Sequence, residues 1–456
     1  MNDDRAFLGT QPIGQLLKQL AIPTVTAQLI NMLYNIVDRI YIGHIPGEGA
    51  AALTGLGVCV PLIMIVSAFA AFCGSGGAPR SSIAMGRGDY DTAEQILGNC
   101  FCLQIIISVG LTVFFLIFNK PLLLMFGASE HTIPYAVSYM NIYSVGTIFV
   151  QMTLGMNAFI TAQGFTKISM MSIMIGAIIN IILDPIFIFV FDMGVGGAAL
   201  ATIIAQGCSC VWVLLFLCGK KTTIRLRPVY MKLQGDVLLP CIALGLAMFI
   251  MNASESIIFV CYNSSLLKYG GDIAVGTMTI LMSVTQLAML PLQGVGQGAQ
   301  PIISYNYGAG NSERVRTAFK LLITVNMVYA VCMWLCVMLV PQMFALLFTS
   351  DVALRAFAVP ALRVYFAVLF MFGIQISCQM TFGALGNAKA SIMVAVMRKF
   401  VLMIPLIYIL PAIMRENQTM AVYMAEPVSD LIAMTFTAIL FYFQFRKAMS
   451  ELETKS

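Results

Sequence analysis

Five carboxylic acids stand inside long apolar stretches of this chain: Asp38, Asp184, Glu255, Glu426 and Asp430. An ionisable group at the centre of a spanning helix costs roughly 2.5–3.5 kcal/mol on insertion scales, so such residues mark ion pathways, proton relays or buried ion pairs. Asp38 and Asp184 make the best case for chemistry. Asn180 precedes Asp184 by one helical turn and shares its face. Pro185 leaves the carbonyl of Ile181 without its helical donor. Thr202 follows on the next apolar stretch. Read as helices crossing a membrane, these stretches bring Asp38, Asp184 and Thr202 to one depth, roughly 8–12 Å below the outer boundary. Two carboxylates, an amide, a hydroxyl and a loose carbonyl form a hard-oxygen cluster that suits a small cation or a shared proton. The competing reading is a satisfied polar network that only fixes helix packing, and paired intramembrane carboxylates speak against it.

Glu255 sits near mid-depth of its stretch, where it can face a cationic cargo, join in proton coupling, or simply pair with a Lys or Arg. Glu426 and Asp430 share a helix face at i, i+4 around Pro427, and Arg398 and Lys399 can neutralise them as structural ion pairs. Arg39 is close enough to the surface to snorkel. The cleft between helices is expected to be lined by Met and aromatic side chains, because Met adapts to varied apolar ligands.

The elements that must position these groups follow from composition. The chain has 456 residues, 60% hydrophobic and only 10% charged. An ordinary soluble domain carries ~25% charged residues, so this is a polytopic membrane protein, not a soluble enzyme or a disordered chain. A net charge of +5 is no nucleic-acid footprint. At ~20 apolar residues per span, twelve transmembrane helices are expected: 17–43, 51–75, 95–118, 133–156, 165–191, 196–218, 237–262, 273–297, 317–340, 357–382, 391–412 and 419–444. With the N-terminus in the cytosol, seventeen Lys and Arg lie on the cytosolic side against four outside, namely Lys120, Lys268, Arg355 and Arg415. The positive-inside rule therefore puts both termini in the cytosol of a plasma-membrane protein. The start, Met1 to Arg5, lacks a signal peptide's basic region and apolar core.

The two halves repeat. Asn31 to Gly55 aligns with Asn252 to Gly276, Gly86–Asp89 with Gly308–Asn311, and Gln163–Lys167 with Leu385–Lys389, at an offset of 221 or 222 residues. The expected fold is all-α, two pseudo-symmetric six-helix lobes, 1–218 and 237–456, joined by the basic cytosolic loop 219–236. Lobes of this kind rock about a cleft to give alternating access.

Other chemistry is absent. Gly219-Lys220-Lys221-Thr222 lacks the spacing of a phosphate-binding loop, so energy must come from an ion gradient. Gly86-Arg87-Gly88-Asp89 and Tyr90-Asp91 use the words of intramembrane aspartyl proteases, but both stand in one cytosolic loop. His44 and His131 cannot build a metal site or a hydrolytic triad, and the twelve Cys, mostly in apolar stretches, are expected to be free thiols. No cofactor is expected.

The stretch Tyr34-Asn-Ile-Val-Asp38-Arg-Ile-Tyr-Ile-Gly43 with Ala51-Ala-Leu-Thr-Gly55 resembles the multidrug and toxic compound extrusion (MATE) family, most of all its bacterial MepA-type branch. Asn180-Ile-Ile-Leu-Asp184-Pro185, Gly194 to Thr202, Pro291 to Gly296 and Tyr305 to Gly308 extend the likeness across all twelve spans. The resemblance implies a V-shaped antiporter that exports amphipathic cationic drugs and dyes against H+ or Na+, is embedded in membrane lipids and acts as a monomer. It implies a cation site at Asp38, Asn180, Asp184 and Thr202, which would also be the site of any Na+. It implies a pocket lined by Tyr34 and Asn157. Another branch pairs a seventh-span Glu with a tenth-span Asp; Glu255 matches the first, while the tenth span offers Gln375 and Gln379. The alternative is a related flippase for lipid-linked oligosaccharides, which would need a strongly cationic cleft.

Overall fold

The computed structural model describes residues 7–349 and 351–454, so the polar start, with Arg5, and Lys455 lie outside the described residues. The described backbone is helix joined by short turns. The spanning helices are α1 (Ile13–Gly43), α2 (Gly49–Gly86), α3 (Tyr90–Met125), α4 (Ile133–Val145 with Thr147–Ala162), α5 (Thr166–Val190) and α6 (Gly194–Cys218). They continue as α7 (235–270), α8 (272–308), α9 (Ser312–Leu339), α10 (Val352–Tyr365 with Leu369–Ala384), α11 (Ala388–Ile413) and α12 (Gln418–Glu453). Short helices at Phe7–Thr10 and Pro341–Phe348 lie between or before them. Most helices run beyond the expected spans, because hydropathy detects the apolar middle and misses polar turns at the ends.

α7 and α8 are two arms of one 74-residue helical run. Unbroken, it would be about 110 Å long, against a hydrocarbon core of ~30 Å. Gly271, at φ 64° and ψ −160°, reverses it, a conformation open to glycine and strained for other residues. Both far ends return to α2, with the Cys241 carbonyl against Gly76 and the Tyr305 carbonyl against Gly86.

The sequence repeat recurs in the backbone. Gly88 and Gly310 both have positive φ, 79° and 76°. Asp89 then caps α3 by accepting from the Thr92 amide at 3.0 Å, and Asn311 caps α9 by accepting from the Arg314 amide at 3.1 Å. The Gly-x-Gly-Asp word is thus a helix-capping turn. α4 is bent by 57° and α10 by 47° at matching places. α5 and α11 both carry a π-helical stretch, Ile186–Val190 and Met397–Met403, of the kind often found at functional sites.

Residues 219–234 form a strap on the first half rather than a loose tether. Gln163 Oε1 accepts from the Thr222 hydroxyl and the amides of Thr223 and Ile224 at 2.8–3.1 Å. Buried Glu94 accepts from the Arg225 amide and pairs with Arg227 at 2.9 Å. Asn99 accepts from the Gln234 amide at 2.7 Å.

The halves meet at the end that carries the chain termini. One apolar core there draws Leu16, Met85, Leu97 and Phe159 from the first half and Leu238, Ile302, Val315 and Leu385 from the second. At the opposite end the cores are separate, one around Leu62, Phe115 and Tyr139, the other around Tyr262, Leu281 and Tyr423. Gly86 and Gly308 let α2 and α8 touch: a Cβ on either would overlap the carbonyl of Tyr305 or Ile83. Thr24 donates to the Gly294 carbonyl at 2.6 Å, and Arg314 donates to the carbonyls of Leu8 and Gln11 at 3.1 and 2.7 Å.

Candidate functional site

α1, α5 and α6 bring the first-half acids together as their depth required. Asp184 is fully buried and Asp38 is 8% exposed. Their side chains lie within hydrogen-bonding reach of each other. Asn180 Nδ2 donates to Asp184 Oδ1 at 3.2 Å and to the Thr202 hydroxyl at 3.3 Å. Asp38 Oδ1, Asp184 Oδ2 and Asn180 Oδ1 are buried with no donor facing them. Two ionised carboxylates cannot share dry space unless something positive sits with them. A proton on one, or a small cation between them, satisfies the site. Tyr34 stands one turn before Asp38, and Asn157 on α4 donates to the Ser169 carbonyl at 3.3 Å.

Beside these acids, between the halves, is a chamber of about 330 Å³. Tyr34, Asn157, Asn180 and Thr202 line it; Asp38 and Asp184 stand behind them. The expected Met and aromatic lining is not what forms it. Tyr34 is the single aromatic among the described lining residues, with Met248 and Met380 as the methionines. Eight carboxamides dominate its polar groups: Gln28, Asn31, Asn157, Asn180, Gln206, Gln297, Gln300 and Gln379. Ala71, Gly74, Ala78 and Ala177 give smooth walls, and no described lining residue is formally charged. Small residues prevail because helices from both halves approach closely here, leaving room only for short side chains. Beyond Asn157 and Asn180, the carboxamides escaped the sequence reading as lining groups, although Gln28 and Asn31, and Gln297 and Gln300, stand at i, i+3 on single helix faces.

Glu255 is not among the residues lining this chamber. Its carboxylate meets Lys399 Nζ at 2.6 Å. Lys399 thus makes its direct ion pair with Glu255, while Arg398 pairs directly with Glu426 and Asp430 at 3.4 and 2.7 Å. Tyr262 adds a hydroxyl donor to Glu426 at 3.1 Å, and the Phe372 ring lies 5.0 Å from the guanidinium. These five charges form one cluster in the second half, buried except for Glu255. Every member has an ionic partner, unlike the donor-poor pair in the first half.

Repeated halves of long apolar helices, twelve among the described residues when the 74-residue run is divided at Gly271 and each bent pair is taken as one, close at one end over a polar chamber, the architecture of a membrane transporter. The family model MatE matches twice, over residues 23–186 and 247–409, once in each half. The chain belongs to the MatE family. It is similar to the multidrug export protein MepA of Staphylococcus haemolyticus (strain JCSC1435), at 24% identity over 437 residues and 95% of each chain. MepA of Staphylococcus aureus (strain N315) is 24% identical over 445 residues, 96% of this chain and 97% of the other. Among solved structures, a MATE protein in a bent conformation matches with a TM-score of 0.92 at 22% identity, over 99% of this chain and 100% of that one. The outward-facing conformation of a multidrug resistance MATE family transporter matches at 0.88 and 23% identity, over 100% and 99%.

Proposed function

We propose that this protein is a multidrug efflux antiporter of the plasma membrane. It exports amphipathic, often cationic, organic compounds in exchange for H+ or Na+ by alternating access, acts as a monomer and keeps both termini in the cytosol. The observation that carries the reading is the buried pair Asp38 and Asp184, whose facing oxygens lack donors beside a chamber shared by both halves. The names of the staphylococcal relatives support the export of drugs. In this orientation the closed end is cytosolic, so the present conformation faces outward.

The cycle follows from charge. In the outward-facing state a proton or Na+ enters between Asp38 and Asp184, held by Asn180 and Thr202. Neutralising the pair relaxes its repulsion and rearranges the hydrogen bonds of α5 around Pro185 and the π-helical stretch. That biases the packing of α1 against α5 and lets the lobes rock. Inward release of the ion restores the charge and resets the pair. A membrane potential adds ~2.3 kcal/mol per charge per 100 mV to the ion's concentration term. The flippase alternative is disfavoured, because a pyrophosphate head needs basic side chains and the chamber's described lining has none.

Ethidium transport in inverted vesicles, under imposed pH and Na+ gradients applied separately, tests the reading. Transport driven by either gradient alone identifies the ion and supports antiport. Absence of transport under both contradicts it.

A further inference from the structure

The chamber's chemistry points to how cargo is chosen. A transporter that reads positive charge needs carboxylates or aromatic faces against its ligand. Here the described lining offers a single aromatic ring and no carboxylate, while the nearest acids are buried behind Tyr34, Asn180 and Thr202. It offers instead amide groups from α1, α4, α5, α6, α8 and α10, ringed by Ser and Thr hydroxyls. Several amide oxygens have no partner in the protein. Asn157 Oδ1, Gln206 Oε1 and Gln379 Oε1 are buried and unpaired, the first two contributed by one half and the third by the other. Buried polar atoms are nearly always hydrogen-bonded, so these acceptors on chamber residues need donors that the protein does not supply. The Ala and Gly walls between them suit a flat apolar body, and the volume lies within the ~300–1,000 Å³ range of small-molecule pockets.

We propose that the chamber selects flat amphipathic compounds bearing several N–H or O–H donors, and that positive charge on the cargo is tolerated rather than read. This rests on the efflux reading above and narrows its substrate class. A site built to hydrogen-bond a ligand discriminates against the analogue that lacks the donors, because its own polar groups are then left unpaired.

A matched pair of dyes tests it. Proflavine and acridine orange share a planar acridinium and a single positive charge. Proflavine carries two NH2 groups, whereas acridine orange carries two N(CH3)2 groups at the same positions. Gradient-driven uptake of each is measured with the full-length protein in proteoliposomes. The expected result is roughly a tenfold higher kcat/KM for proflavine, the scale of two lost hydrogen bonds. Gln206→Met and Gln379→Met, close in volume but without donors or acceptors, are expected to shrink the ratio several-fold. A proflavine preference that persists unchanged in both variants would overturn the inference. Equal uptake of the two dyes by the wild type also overturns it, leaving the efflux reading intact. Uptake of neither dye overturns both.

Discussion

Asp184 and Arg398 are both buried charged residues inside the membrane, yet their surroundings assign them different work. Arg398 is held by Asp430 and Glu426, with Phe372 over its plane. Removing one partner of such a pair leaves an uncompensated buried charge and costs roughly 3–5 kcal/mol. Arg398→Met is thus expected to lower thermal stability in detergent by that order, and the triple variant Arg398→Met, Glu426→Gln, Asp430→Asn to recover most of it. A stable single variant would contradict the structural role. Asp89 offers a pH-dependent case outside the membrane. The Thr92 hydroxyl and amide hold its carboxylate below the ordinary carboxylate range. A depressed value means the cap's contribution is present above the unfolded pKa of ~3.9 and is lost as pH falls through the folded value. Asp89→Ala is expected to destabilise by about 1 kcal/mol at neutral pH. The gap to wild type, followed by thermal unfolding, should close below about pH 4. At this scale the sequence was most informative. Depth counting alone brought Asp38, Asp184 and Thr202 to one level. It did not reveal that Glu255 takes Lys399, because partner choice depends on how α7 and α11 rotate against each other.

Helices show where one-dimensional reading stops. Apolar runs revealed the order of the spans, and the repeated Gly-Arg-Gly-Asp and Gly-Ala-Gly-Asn turns revealed the duplication. The bend in α10 was invisible, since it falls at Phe366–Val368, in an apolar run with no Pro or Gly, whereas α4 bends at Gly146. The strap at 219–234 read as a linker because its hydrogen bonds go to Gln163, Glu94 and Asn99, far away in the chain. The carboxamide character of the chamber, beyond Asn157 and Asn180, was missed for a similar reason: its eight amides stand on six helices and meet only after packing. The Gly86 and Gly308 contact can be tested directly. A Val at either position overlaps a backbone carbonyl of the facing helix, so α2 and α8 must separate. Gly86→Val or Gly308→Val is expected to leave the protein in the membrane and to cut dye transport more than tenfold. Cys241, 2% exposed, should also react faster with a membrane-permeant maleimide. Wild-type transport and reactivity would show that the close approach is dispensable.

The whole molecule closes at the terminal end through contacts between its halves, and closure must break once in every cycle. Cys100 of the first half and Cys241 of the second are buried thiols packed in the same core on either side of that seam. In a variant whose only cysteines are these two, a short bifunctional methanethiosulfonate is expected to cross-link them and stop transport, with reductant restoring it. Transport that continues with the cross-link in place would mean the seam never opens. The central claim is narrower: Asp38 and Asp184 couple ion entry to drug exit. Its most direct test is uphill ethidium accumulation in proteoliposomes containing wild type, Asp38→Asn or Asp184→Asn, alongside ethidium binding to the same purified proteins. The account predicts that both variants still bind the dye within a few-fold of wild type but lose gradient-driven accumulation by roughly tenfold or more, the scale of a typical coupling free energy. Accumulation at wild-type rates by either variant would contradict it.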